Sequence, residues 1–130
     1  MGASSNGRLR VLIVEDNELV AALTGELVQT FGHEVRVVND GHAAIRATTE
    51  FHPQVILLDL SLPGMSGYEV AEQLRVPQHD HYLLVAVTGY DDDADRQRTQ
   101  KTGFDRHLVK PIQPEMLDEV FAMAMERQAG

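Results

Sequence analysis

Val55-Ile56-Leu57-Leu58-Asp59-Leu60-Ser61-Leu62-Pro63-Gly64-Met65-Ser66-Gly67 decides the fold. An apolar run that ends on a carboxylate and then a turn rich in Pro, Gly and Ser reads as a strand buried on both faces. An ionised Asp within such a sheet would meet a large desolvation penalty; at the strand's carboxyl end it can meet solvent, a cation or a ligand. In open α/β sheets that edge is where ligands bind. Asp59 is therefore the first candidate for chemistry.

Outward from this strand the same alternation repeats. Leu9 to Val14 reads as a first strand ending on Glu15-Asp16-Asn17, and Val20, Leu23, Leu27 and Phe31 then recur at helical spacing until Gly32 closes the helix. Glu34 to Val38 is a second strand with Asn39-Asp40-Gly41 as its turn, and residues 42–50 form an alanine-rich helix stopped by His52-Pro53. A third helix spans Gly67 to Arg75, with Val70 and Leu74 on one face. Pro77 to His81 is a loop, Tyr82 to Val87 a fourth strand ending on Thr88-Gly89-Tyr90, and residues 91–102 a helix with almost no apolar stripe, expected to dock loosely. Phe104 to Val109 is a fifth strand ending on Lys110-Pro111, and Pro114 opens a last helix whose core face is Leu117, Val120, Phe121 and Ala124.

Five strand–helix alternations predict an α/β fold, a doubly wound five-stranded parallel sheet with helices on both sides. Right-handed crossovers and a change of winding direction place a crevice at the carboxyl ends of the strands. No internal repeat, linker or low-complexity segment divides the chain.

Composition narrows the function. With 130 residues, 43% of them hydrophobic, the chain can bury a core as one domain. Eleven basic against twenty acidic residues give a net charge of −9, which argues against a sequence-independent grip on nucleic acid or an anionic membrane. The absence of cysteine excludes disulfides, thiolate metal sites and cysteine nucleophiles. No apolar run reaches the length of a membrane span. Residues 1–7, Met1-Gly2-Ala3-Ser4-Ser5-Asn6-Gly7, lack an apolar stretch and miss the myristoylation pattern at Asn6; they are expected to be a disordered tail or a cloning scar. A cytoplasmic location is the default.

The strand exits carry the chemistry. Strand one offers Glu15 and Asp16, strand three Asp59, strand four Thr88 and strand five Lys110, and a parallel sheet brings all of them to one edge. Three crowded carboxylates repel and call for a cation; hard oxygen ligands suit Mg²⁺. Metal, ammonium and hydroxyl facing one carboxylate form a receptor for a phosphoryl group, whose transfer needs positioning and charge neutralisation. A carboxylate can itself be the nucleophile. Taken singly, each of these residues is more often a helix cap or a solvated side chain; it is their concurrence that points to a site.

On these residues the chain resembles a response-regulator receiver domain of two-component signalling, over roughly Leu9 to Gln128 and within residues 8–130. Glu15-Asp16, Asp59 with Leu62-Pro63-Gly64-Met65-Ser66-Gly67, Thr88-Gly89 and Lys110-Pro111 carry the likeness. The resemblance implies a flavodoxin-like (βα)5 sheet of order 2-1-3-4-5. It implies that Asp59 accepts a phosphoryl group from a histidine kinase or histidine phosphotransfer protein. Glu15, Asp16, Asp59 and the Ser61 carbonyl would hold Mg²⁺, Thr88 and Lys110 would contact phosphoryl oxygens, and the Lys110-Pro111 peptide would be cis. Beyond its own phosphorylation and slow dephosphorylation, no enzymatic turnover is implied. A downstream protein would dock on the fourth helix, fifth strand and last helix, where Met116, Met123 and Met125 serve as core filler and rim. Neither direct nucleic-acid binding nor membrane attachment is implied.

Departures from the family pattern are informative. His107 stands where the family usually carries Tyr or Phe, a ring that swings inward as Thr88 is drawn to phosphate; it is either a smaller, titratable switch or a plain surface histidine. Ser61 and Tyr90 occupy the positions that tune attack of water on the aspartyl phosphate, and neither obviously positions a water, so a lifetime of many minutes or longer is expected. Asp91-Asp92-Asp93 with Asp95 fails the calcium-loop pattern at Arg96 and Thr102 and reads as acids at a helix start. His79 and His81 read as loop residues.

Three other functions were weighed. A haloacid-dehalogenase-type phosphatase needs a second Asp where Ser61 stands, and Glu15 and Asp16 would repel the phosphate of a flavodoxin-like FMN carrier. The serious alternative is a non-cycling receiver acting only as a docking module. Since the chain stops soon after the last helix, no output domain is expected. It is a stand-alone regulator or part of something larger, and the Gly103 to Pro111 run resembles receivers attached to hybrid sensor kinases.

Overall fold

A computed structural model describes residues 7–74, 82–89 and 93–129. The expected strands form five parallel strands: β1 (Arg10–Val14), β2 (Glu34–Val38), β3 (Val55–Asp59), β4 (Leu83–Thr88) and β5 (Arg106–Val109). Between and after them lie α1 (Glu18–Thr30), α2 (Gly41–Phe51), α3 (Gly67–Leu74), α4 (Asp93–Thr102) and α5 (Pro114–Ala129). The sheet order is β2-β1-β3-β4-β5, as the resemblance implied, with winding reversed between β1 and β3.

Strand periodicity sorts the core into two layers. Leu12, Ile56, Leu58, Leu84 and Ala86 face one side, against Ala44 and Ala47 of α2 and Val70 and Leu74 of α3. Val11, Ile13, Val55, Leu57 and Val85 face the other, against Val28 of α1 and Leu117, Val120, Phe121 and Ala124 of α5. Each fully buried aliphatic side chain stabilises the fold by about 1.5–3 kcal/mol. Every residue of β3 and β4 is buried, so a polar group can reach the outside only at a strand end.

Local chemistry starts and stops the helices. The Asn17 side chain accepts a hydrogen bond from Val20 N, and Asp40 accepts one from Ala43 N. Ser66 and Glu69 form a reciprocal capping box at α3, Glu69 N donating to Ser66 Oγ and Ser66 N to Glu69 Oε1. Gly32, at φ 87°, ends α1 in the left-handed region.

Two departures from the sequence expectations have physical causes. The fifth strand begins at Arg106, two residues later than Phe104, because Asp105 turns back onto β4: its N–H donates to Leu84 O and its Oδ2 accepts from Leu84 N. In α1, the buried residues are Ala21, Gly25 and Val28, while Leu23 is 57% exposed. Gly25 faces Val35 and Val37 of β2 at ordinary contact distance, Leu27 packs at the edge of the core, and Leu19 and Leu23 turn outward. α4 lacks an apolar stripe, as expected; Thr99 is buried, and the Arg98 guanidinium lies 3.7 Å from the Tyr68 ring centroid. The expectations for His79, His81, Tyr90, Asp91 and Asp92 fall outside the described residues. Among the described residues, no helix is long and apolar enough to cross a membrane.

Candidate phosphoacceptor site

Parallel register carries the strand-end residues to one edge. Asp59 ends β3 opposite Val87, and Thr88, one residue further on, ends β4 opposite Val109. Leu60 N donates to Val87 O and Lys110 N to Thr88 O, so backbone bonds tie the three strand exits together. Glu15 follows β1 directly and is anchored by its own N–H, which donates to Val38 O. The Asn39 side chain donates to Glu15 O at 2.9 Å.

At that edge Glu15, Asp16 and Asp59 each bring a carboxylate oxygen within 4.8 Å of the others. Glu15 and Asp59 are buried and Asp16 is exposed. Lys110 reaches in from β5, its Nζ 2.9 Å from Glu15 Oε1 and 3.4 Å from Asp59 Oδ2. Burial, and then the neighbouring Asp59 charge, push the Glu15 carboxyl above its ordinary value, against the pull of the Lys110 and Asn17 hydrogen bonds. Burial pulls the Lys110 ammonium down, but its bond to Glu15 and the two carboxylate charges outweigh it and hold the amine above the ordinary lysine value. Three hard oxygen donors against one ammonium leave negative charge uncompensated in a partly buried place. That donor set fits a magnesium ion.

The turn after β3 positions the Asp59 carboxylate. Ser61 N donates to Asp59 Oδ1 at 2.9 Å, which leaves Oδ2 facing Lys110. Gly67 closes the turn, where a Cβ would stand 2.6 Å from Asp59 O and 2.7 Å from Leu60 Cα. Only glycine fits that approach. The Lys110-Pro111 peptide is cis, as expected.

Glu15, Asp16, Asp59 and Lys110 are thus within reach of one another, with Thr88 buried on the adjoining strand end and Ser61 bonded to Asp59 through its backbone. Sequence reasoning placed a crevice at this edge but not its apolar wall. A cavity of about 580 Å³ runs from Asp59 and Lys110 between α1 and the Pro111-Ile112 segment that follows β5, lined by Val20, Leu23 and Leu27 among others. The helical spacing of those α1 residues was visible; that they face a gap was not. His107 is half-buried and bonded to Thr99, so it is not a plain surface histidine.

Comparison with known proteins agrees with this geometry. Residues 11–122 match the family model of the response regulator receiver domain. The polar-differentiation response regulator DivK of Brucella ovis is 36% identical over 103 residues, 78% of this chain and 84% of that protein. The signal receiver domain of a LuxO repressor protein from Vibrio parahaemolyticus superposes with a TM-score of 0.81 at 30% identity, covering 92% of each chain. The receiver domain of a sensor histidine kinase from Pseudomonas aeruginosa, solved with magnesium in its active site cleft, gives a TM-score of 0.82 at 24% identity, over 92% of this chain and 98% of that one.

Proposed function

Because this chain belongs to the response regulator receiver domain family, a group of signalling modules, we propose that it is a phosphoacceptor whose nucleophile is Asp59. The observation that carries this reading is the buried Asp59 carboxylate, its Oδ1 tied to Ser61 N and its Oδ2 facing the Lys110 ammonium beside Glu15 and Asp16.

A carboxylate oxygen of Asp59 attacks the phosphorus of a phosphohistidine on a histidine kinase or histidine phosphotransfer protein. A phosphorus–oxygen bond forms, the phosphorus–nitrogen bond breaks, and the leaving imidazole keeps its electron pair and takes up a proton. Lys110 turns its ammonium from Asp59 and Glu15 toward the incoming phosphoryl oxygens, and the Thr88 hydroxyl contacts another of them. Glu15, Asp16, Asp59 and the Ser61 carbonyl would hold Mg²⁺, which when bound neutralises charge on the phosphoryl oxygens. The altered site then reshapes the surface of α4, β5 and α5 for a downstream protein, in the cytoplasm.

Incubation with a small-molecule phosphodonor and Mg²⁺ tests this. The wild-type chain gains one base-labile, hydroxylamine-sensitive phosphoryl group, and Asp59→Asn gains none. A wild type that stays unlabelled and behaves like Asp59→Asn is a docking module that does not cycle phosphate.

A further inference from the structure

The cleft beside Asp59 joins two unlike surfaces. Glu15, Asp59 and Lys110 line it at the strand ends, and Val20, Leu23 and Leu27 of α1 line it together with Ile112. Apart from the three charged residues, its lining among the described residues carries one polar side chain, Thr24. Leu57 and Val87, buried side chains of the sheet, add to the apolar part. The volume of about 580 Å³ is that of a small-molecule pocket. A flat protein face leaves such a recess unfilled, whereas an extended apolar tail can enter it.

Leu23 is 57% exposed, so the cleft opens to water along α1. Water against aliphatic side chains is released when an apolar group takes its place, and each methylene fully buried in this way strengthens binding about fourfold. Phosphoryl transfer places the attacking and leaving oxygens roughly in line across the phosphorus. With Asp59 as the attacking group, the departing group lies beyond the charged cluster, and the cleft is the apolar space that adjoins that cluster.

The chemistry of the departing group is restricted as well. An alkyl phosphate ester would need a proton on its leaving alkoxide, and the ammonium lining the cleft is engaged by Glu15 at 2.9 Å and Asp59 at 3.4 Å. A carboxylate departs without a proton. Exchange of one acyl phosphate for another also leaves the types of bond unchanged.

We propose that the cleft is a leaving-group pocket through which this chain selects acyl phosphates bearing an apolar tail, with Leu23 as a specificity-determining residue. The proposal rests on the phosphoacceptor reading of Asp59. A carboxylate oxygen of Asp59 forms a bond to phosphorus, and the bond between phosphorus and the bridging oxygen of the donor breaks. Its electron pair leaves on the fatty carboxylate, and no proton moves.

Acetyl phosphate and hexanoyl phosphate carry the same reactive anhydride and differ by four methylenes. Each is incubated with the intact chain and Mg²⁺ at the same low concentration, and the initial rate of phosphoryl gain is read by intact-mass spectrometry. Hexanoyl phosphate should label the wild type at least about tenfold faster, a partial return on four methylenes in a cleft that stays open on one side. Leu23→Ser should lower the ratio of the two rates at least about threefold; both rates come from the same protein, so a general loss of folded chain cancels. Leu19→Ser, at a 68% exposed residue of α1 outside the cleft lining, should keep the wild-type ratio. Labelling by neither donor would overturn the phosphoacceptor reading and this proposal with it. Equal rates from the two donors would overturn the proposal alone and leave the cleft to the surface of a protein donor. A ratio unmoved in Leu23→Ser, or lost in Leu19→Ser, would likewise overturn it.

Discussion

Lys110 pairs first with Glu15, its Nζ standing 2.9 Å from the Glu15 carboxylate. Asp59 is the more distant neighbour at 3.4 Å. In the proposed reaction the ammonium meant for the phosphoryl oxygens is thus held beforehand by a carboxylate that follows β1. The pairing partly offsets the repulsion of three crowded carboxylates and keeps the lysine at the edge of the acceptor.

Lys110→Met should therefore have two effects. Glu15 and Asp59 lose their ammonium, and stability at low Mg²⁺ should drop by about 1–2 kcal/mol, below the cost of breaking a fully buried pair because the lysine side chain is 28% exposed. Phosphoryl uptake at Asp59 should fall by at least about tenfold, the loss of one charge contact on the transferred group. Urea unfolding and phosphodonor labelling read the two separately. Undiminished labelling would remove Lys110 from the proposed site.

Glu15 makes metal affinity sensitive to pH. Its carboxyl is raised above 4.5 by burial and the neighbouring Asp59 charge, so the folded chain holds this proton at pH values where the unfolded chain has released it. The ionised form is therefore a penalty on folding at neutral pH, relieved as pH falls through the raised value. Protons compete with the cation over the same range, and Mg²⁺ affinity should decline as the solution is acidified toward it. Glu15→Gln should weaken binding about tenfold, equivalent to about 1.4 kcal/mol, and flatten the pH dependence. Calorimetric titration of the chain with Mg²⁺ at several pH values would show whether it does.

His33 should set an acid limit on stability. Its Nδ1 accepts a hydrogen bond from Leu9 N at 3.0 Å, and its ring meets Phe121 edge-on at 4.5 Å. Burial, and then the nearby Arg8 charge, hold this histidine below 6.5. The contribution is thus full above the unfolded value and lost as pH falls through the lower folded one. His33→Asn keeps an acceptor without titrating, so its unfolding midpoint should vary less than that of the wild type between about pH 7 and about pH 5, where histidine changes charge. Parallel pH profiles for the two proteins would contradict the assignment.

Gly67→Ala places a methyl group against the backbone that carries Asp59, 2.6 Å from its carbonyl oxygen. Backbone cannot yield as a side-chain tip would, and overpacking of this kind costs about 1–3 kcal/mol. Because the displaced atoms position the acceptor, labelling should slow along with the loss of stability. A variant of normal stability and labelling rate would mean that the turn relaxes freely.

Much of this molecule was legible because its signals are local. β1, β3 and β4 are marked by apolar runs, and β3 and β4 are buried along their whole length. The candidate site was legible for the same reason. Parallel strands must bring their carboxyl ends to one edge, so Glu15, Asp16, Asp59, Thr88 and Lys110 could be placed together without coordinates. Phe104 was harder to place, because the turn that removes it from β5 depends on Asp105 bonding to Leu84, a residue 21 positions away.

The alternation of strands and helices and a parallel sheet with its strand-end groups on one edge follow from residue pattern alone, since burial and the desolvation of charge act on each segment wherever it lies; the strand order is what the family resemblance implied. Tertiary structure decided which way α1 turns its leucines, that Lys110 takes Glu15 before Asp59, and that His107 is tied to Thr99. Those outcomes rest on distances between segments far apart in the chain, where a shift of an ångström makes or breaks a contact. No periodicity in the residues encodes such a distance.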